Sequence, residues 1–156
     1  MGMGSLPQEP VRAPSSSDEF QRSEHRRTST ARRLTPQQRA VARMARARWA
    51  EDLVARFYER SGYEIVARNW HCREGELDVV AILVCPVRVI IAFVEVKARA
   101  SINYGSPFEA VTQVKQKKLR IAATKFLAAH LELRGEIRFD VVSVLGTQID
   151  VLYNAF

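Results

Sequence analysis

The stretch VIIAFVEVKARA, residues 89–100, decides how the chain is read. Its first six residues are apolar, a run that suits a strand covered on both faces. Side chains along a strand alternate, so Glu95 and Lys97 share a face with Ile91 and Phe93, while Val94 and Val96 point the other way. Placing an acid and a base at the end of a buried strand costs on the order of several kcal/mol unless something compensates them.

The preceding stretch GELDVVAILV, residues 75–84, reads as a second strand, joined to the first by a turn around Cys85 and Pro86. The same parity puts Glu76 and Asp78 on one face at its start. In an antiparallel pair the beginning of one strand lies beside the end of the other, so Asp78, Glu95 and Lys97 converge. One reading is a structural ion pair between Asp78 and Lys97. The other follows from two acids gathering beside a single lysine in apolar surroundings, which calls for a cation. Hard divalent ions take carboxylate oxygens and leave their remaining positions to water and phosphate. Mg²⁺, or Mn²⁺, held by Asp78 and Glu95 implies phosphodiester hydrolysis, with Lys97 orienting the attacking water or stabilising charge on the phosphoryl group.

Residues 79–94 do not read as a membrane span. The run is shorter than the ~20 residues a span needs, is broken by Pro86 and Arg88, and is flanked by Asp78 and Glu95. With no apolar leader at the N-terminus, the cytoplasm is the expected compartment. Cys72 and Cys85 lack the spacing of a zinc site, and His25, His71 and His130 are scattered singly, so both thiols are expected to be free.

The formal charge of +7 is uneven: residues 1–48 hold ten Arg and four acids. Residues 1–34 have few large apolar side chains and no sustained period, and read as a disordered basic tail. Thr35 and Pro36 are helix-start signals, and no Gly or Pro follows until Gly62, which predicts one long helix. Val41, Met44, Ala45, Trp49, Leu53 and Phe57 form its expected core stripe. Ser106, Pro107 and Glu109 form a capping-box signal for a second helix, and two strands close the chain. The expected fold is an α/β or α+β domain over residues 35–156, with a mixed sheet flanked by helices in the order α-β-β-β-α-β-β.

Asp followed by Glu-x-Lys on two neighbouring strands resembles the signature of the restriction-endonuclease-like, PD-(D/E)XK, nuclease superfamily. The segments ARNWHCREGELDVVA, FVEVKARA, YGSPFEAVTQVKQKKLRIAATKFL and RFDVV together resemble the YraN-like family of small bacterial proteins, whose fold is similar to that of Holliday-junction resolvases. The resemblance covers about residues 49–145. It implies a metal-dependent endonuclease acting on structured or branched DNA, with Asp78, Glu95 and Lys97 in the catalytic positions. Glu51 is either a further acidic ligand or an exposed helix acid paired with Arg48 or Arg56. Glu76 is read as a neighbour that tunes the charge.

Two departures stand out: an apolar and lengthened connection at Cys85-Pro86, and Ala50 where the resemblance leads one to expect Gly. Arg99 is placed to clamp the scissile group. Lys115, Lys117 and Lys118, with Arg120 and Lys125, either follow a phosphate backbone or form a solvated helix face. A two-fold homodimer would suit a symmetric junction. The alternatives to an enzyme are a non-catalytic nucleic-acid-binding module and a partner-binding scaffold built on the Asp78–Lys97 pair.

Overall fold

Thr35 opens the first helix through a reciprocal cap: its hydroxyl accepts from the Gln38 N–H (3.2 Å), and the Gln38 side chain accepts from the Thr35 N–H (2.9 Å). Helix α1 then runs Pro36–Arg60, and Gly62, at φ 88°, turns the chain away. The structure, a computed structural model, describes residues 33–101 and 111–156. The expected basic tail, but for Arg33 and Leu34, and the capping box at Ser106, Pro107 and Glu109 lie outside the described residues.

Five strands follow: β1 Glu64–Cys72, β2 Gly75–Cys85, β3 Arg88–Arg99, β4 Glu136–Leu145 and β5 Gln148–Leu152. They form one sheet in chain order, antiparallel throughout except for the parallel pair β3/β4. A parallel neighbour needs a crossover, and helix α2, Gln113–Ala129, lies on it. The fold is therefore a mixed α+β domain in the order α-β-β-β-α-β-β. The helix expected from Pro107 begins, among the described residues, at Gln113, capped by the Thr112 hydroxyl, which accepts from the Lys115 N–H.

The apolar run of β3 is covered on both sides. Val79, Ala81, Ala92, Val94, Val142 and Val144 pack with Ala50, Val54 and Tyr58 of α1. On the other face Leu77, Val80, Ile91, Phe93 and Val141 pack with Leu119, Ala122, Ala123 and Phe126 of α2. The stripe expected on α1 is corrected in its first half, whereas Leu53 and Phe57 pack partly buried against the core on the α1 side. Val41, Met44 and Trp49 are exposed, and burial begins at Ala50 and continues through Val54 and Tyr58. Helical periodicity identifies an apolar face, but the sheet covers only the second half of this helix.

The lengthened β2–β3 connection resolves into a two-residue turn, Pro86 and Val87, closed by Cys85 opposite Arg88. Pairing then continues without a shift to Val79 opposite Val94, so the register reaches the site end intact.

Two tertiary features carry no local sequence signal. Asp140 is fully buried and accepts from the Tyr58 hydroxyl (2.8 Å), from Arg138 Nε (2.9 Å) and from the Asn154 N–H (3.0 Å). Arg138 also donates to the Tyr63 hydroxyl (2.8 Å) and lies over the Tyr153 ring. Burial, and then the Asp140 carboxylate, push the Tyr58 phenol far above its ordinary pKa, which keeps it a donor. The second feature is Gly135, ahead of β4: a Cβ there would meet the Val89 carbonyl oxygen at 2.7 Å. Gly135→Ala is expected to destabilise the fold by about 1–3 kcal/mol in chemical denaturation, because backbone cannot yield as a side-chain tip can. An unchanged midpoint would show that β3 and β4 separate there at no cost.

Candidate metal centre

The site is built where the pleat of β2 changes hand. Arg68 pairs with Val79 and Trp70 with Leu77, so Asn69, in the left-handed region at φ 49°, falls opposite Asp78. Asn is among the residues that tolerate this conformation. Across the irregularity Leu77 faces α2 while Val79, two residues on, faces α1. The β2–β3 ladder stops at Val79 opposite Val94. Asp78 and Glu95 lie just beyond its last pair, and there the Val96 N–H donates to Asp78 Oδ2 (2.8 Å). The carboxylate thus satisfies a backbone donor.

Glu95 is 3% exposed. Lys97 Nζ donates to its Oε1 at 2.7 Å, and Lys115 Nζ, from the first turn of α2, comes within 3.2 Å of Oε2. The second approach lies off the direction of a hydrogen bond, so Glu95 Oε2 is buried with no hydrogen-bond partner. Glu51 Oε2, on α1, is in the same condition. Burial, and next the charge of Glu95, push the Asp78 carboxyl up to about 7, against the Val96 N–H and Lys115, which pull it down; Glu51 adds a smaller upward push. Three carboxylates and two ammonium groups therefore act on one another at one end of the sheet.

Among the described residues no three His, Cys, Asp or Glu side chains stand close enough to cage an ion by themselves. A magnesium ion does not require that: it is commonly held by one or two carboxylates and keeps several waters. The donor set is hard oxygen, two of its buried oxygens are orphaned, and burial together with the charge of Glu95 raises the pKa of the Asp78 carboxyl. The residues present fit a hard divalent cation.

Lys97 pairs with Glu95, not with Asp78, which removes the Asp78–Lys97 pair as a structural alternative. Glu51 is not an ordinary exposed acid. It lines a cavity of about 390 Å³ with Arg48, Asn69 and His71, while its neighbour Asp52 takes Arg68. Glu76 stays on the outer surface beside His71 (3.6 Å). Lys117 and Lys118 are exposed, and Lys118 lines a second cavity of about 400 Å³ with Lys115, His71 and Arg73. Lys125 is held by Glu74, and Arg120 lies over the Phe156 ring at 5.0 Å. The basic residues of α2 thus divide: Lys115 turns to the carboxylates, Lys125 and Arg120 have local partners, and Lys117 and Lys118 face water. Neither the contact of Lys115 with Glu95 nor the turn at Asn69 was visible in the sequence pattern. An Asn inside a strand was the only signal for the latter.

A pH dependence follows from Asp78. Its folded pKa, about 7, lies above its ordinary 3.8, so the folded state binds the extra proton between these values. Stability of the cation-free protein is therefore greatest below about pH 4 for this group and falls as pH rises toward 7. In Asp78→Asn that slope is expected to vanish, because the amide oxygen still accepts from Val96 but does not titrate. Urea midpoints between pH 4.5 and 7.5 measure it, and an unchanged slope in the variant would assign the titration elsewhere.

The model of a family described as "Uncharacterised protein family UPF0102" matches residues 50–144, a span that includes Glu51, Asp78, Glu95, Lys97 and Lys115. A UPF0102 protein of Nocardia farcinica is 50% identical over 97 residues, covering 62% of this chain and 73% of that protein. One from Syntrophomonas wolfei is 45% identical over 112 residues, covering 69% of this chain and 94% of that protein. A third, from Myxococcus xanthus, is 45% identical over 100 residues, or 62% and 73% of the two chains. Because the matched span takes in the sheet's central strands, α2 and the second half of α1, the chain belongs to the UPF0102 family.

Proposed function

We propose that this chain is a divalent-cation-dependent endonuclease that hydrolyses phosphodiester bonds in structured or branched DNA. The observation that carries the reading is the meeting of a buried Glu95, salt-bridged to Lys97, with an Asp78 whose backbone contact sits one residue away, beside two orphaned carboxylate oxygens. The likeness of these residues to the PD-(D/E)XK signature and to YraN-like proteins supports it further.

Asp78 and Glu95 would hold Mg²⁺ or Mn²⁺, with Glu51 reaching it directly or through water. When bound, the ion supplies Lewis-acid polarisation of the phosphoryl oxygen and a lowered pKa for water. The chain's own residues do the rest. Lys97 fixes Glu95 through Oε1 and presents its remaining donors to the attacking water or to the charge that develops on phosphorus. Lys117, Lys118 and Arg99 offer positive charge to neighbouring phosphates, contacts that position a duplex without reading its sequence. A pair of such chains related by a two-fold axis would match the symmetry of a four-way junction.

A second reading has an observation of its own. Two lysines already lie on Glu95, which compensates its charge without any ion; a module of that kind would bind nucleic acid and cut nothing. The test incubates the protein with four-way junction, single-stranded and blunt duplex DNA, with and without Mg²⁺ or Mn²⁺. Cation-dependent cutting, strongest on the junction, is the expected result. Binding that ignores both the cation and Glu95→Ala selects the second reading. Absence of cation uptake at millimolar concentration in calorimetry overturns the metal centre itself.

A further inference from the structure

Next to the carboxylates is a cavity that they do not use. Arg46, Trp49, Ala98, Arg99, Val144 and Gly146 help to line an open space of about 420 Å³, a size within the usual range for small-ligand sites. Two of its walls are chain neighbours of the site, since Ala50 precedes Glu51 and Ala98 and Arg99 follow Lys97. Among the described residues no carboxylate lines it. The cavity therefore suits a ligand with a flat apolar surface and negative charge.

Trp49 strengthens this. It is 40% exposed, although the helix buries the smaller Ala50 completely beside it. The first half of α1 also leaves Val41 and Met44 in water and carries Arg39, Arg43, Arg46 and Arg48 without one acid between Pro36 and Ala50. Such a surface repels a second copy of itself and attracts a polyanion. An indole in a basic setting is what an unstacked base meets in proteins that hold single strands, where the base lies on the ring and phosphates meet the arginines.

We infer that this cavity is a stacking subsite for an unpaired nucleotide, with Trp49 as the platform and Arg46 and Arg99 supplying charge to its phosphates. The inference rests on the nucleic-acid reading above and deepens it: a substrate would need unpaired bases beside the bond that is cut. Continuous duplex offers none.

The test compares binding of a short oligothymidylate and of a blunt duplex by fluorescence anisotropy, in chelator and again with calcium. Trp49→Ala is expected to weaken the oligothymidylate by about tenfold or more while the blunt duplex is unchanged. Trp49→Phe is expected to restore most of that loss, since a phenyl ring still stacks. Arg46→Gln is expected to weaken both and to lower the salt slope by about one. Thermal melts confirm that each variant is folded. If the wild type binds both ligands and Trp49→Ala lowers both equally or neither, the subsite is refuted and the nucleic-acid reading stands. If the wild type binds neither ligand but binds a four-way junction, the subsite alone is refuted; if it binds none of the three, both fall together.

Discussion

Glu95→Gln is expected to reduce DNA cleavage by about 10²- to 10³-fold, the scale seen when one electrostatic contributor to a transition state is removed, and to leave the protein as stable as the wild type or more so. The amide keeps the size of the carboxylate but not its charge. Its loss relieves Asp78, since Glu95 is the largest charge holding that carboxyl up near 7. Lys97 and Lys115 have side chains 29% and 28% exposed, so each ammonium can turn to water when its partner goes. A residue whose removal spares stability and abolishes activity is one held in place for function. Paired measurement of single-turnover cleavage and urea midpoints decides the matter. A loss of roughly 3 kcal/mol or more in stability would instead mark Glu95 as half of a buried structural ion pair, and the endonuclease reading would lose its central residue.

Asp140→Ala is expected to show the opposite pattern, a loss of about 3–5 kcal/mol in stability with cleavage retained by the folded fraction. The substitution strips partners from a guanidinium 15% exposed and from a buried phenol, and it leaves the Asn154 N–H without its acceptor. Domains of this size commonly have a total of about 5–15 kcal/mol, so the variant should be largely unfolded at moderate temperature. Tyr58→Phe, which removes one donor and leaves Asp140 paired with Arg138, is expected to cost about 1–2 kcal/mol. Denaturant unfolding of both variants measures the difference. A change below about 1 kcal/mol for Asp140→Ala would mean that water replaces the carboxylate without penalty.

How legible the fold was depended on how local its cause is. The alternation of β2 and β3, the turn at Pro86 and the Thr35 cap are set by neighbours within a few residues, and each could be read directly. The core face of α1 was right at Leu53 and Phe57 but extended too far toward the N-terminus, because the period of Val41, Met44 and Trp49 is genuine while, among the described residues, the sheet covers only the second half of the helix. The approach of Asp78 to Glu95 follows from a hairpin register that holds as far as Val79 opposite Val94, whereas the break of the pleat between Leu77 and Val79 was not legible. Lys115 looked like one more surface cation, because nothing in QVKQKK marks the residue that turns inward.

The sequence alone therefore determined the element order, the mixed sheet and the meeting of an aspartate and a glutamate at its end, since hairpin register is a rule of short range. Tertiary structure alone decided that one oxygen of the half-buried Glu51 is enclosed without a partner, that two lysines share Glu95, that Asp140 anchors Tyr58 and Arg138, and that Trp49 stays in water beside a basic cavity. Each of these depends on which surfaces of elements far apart in the chain meet, and on where a covering layer ends. Periodicity along a single element carries neither quantity.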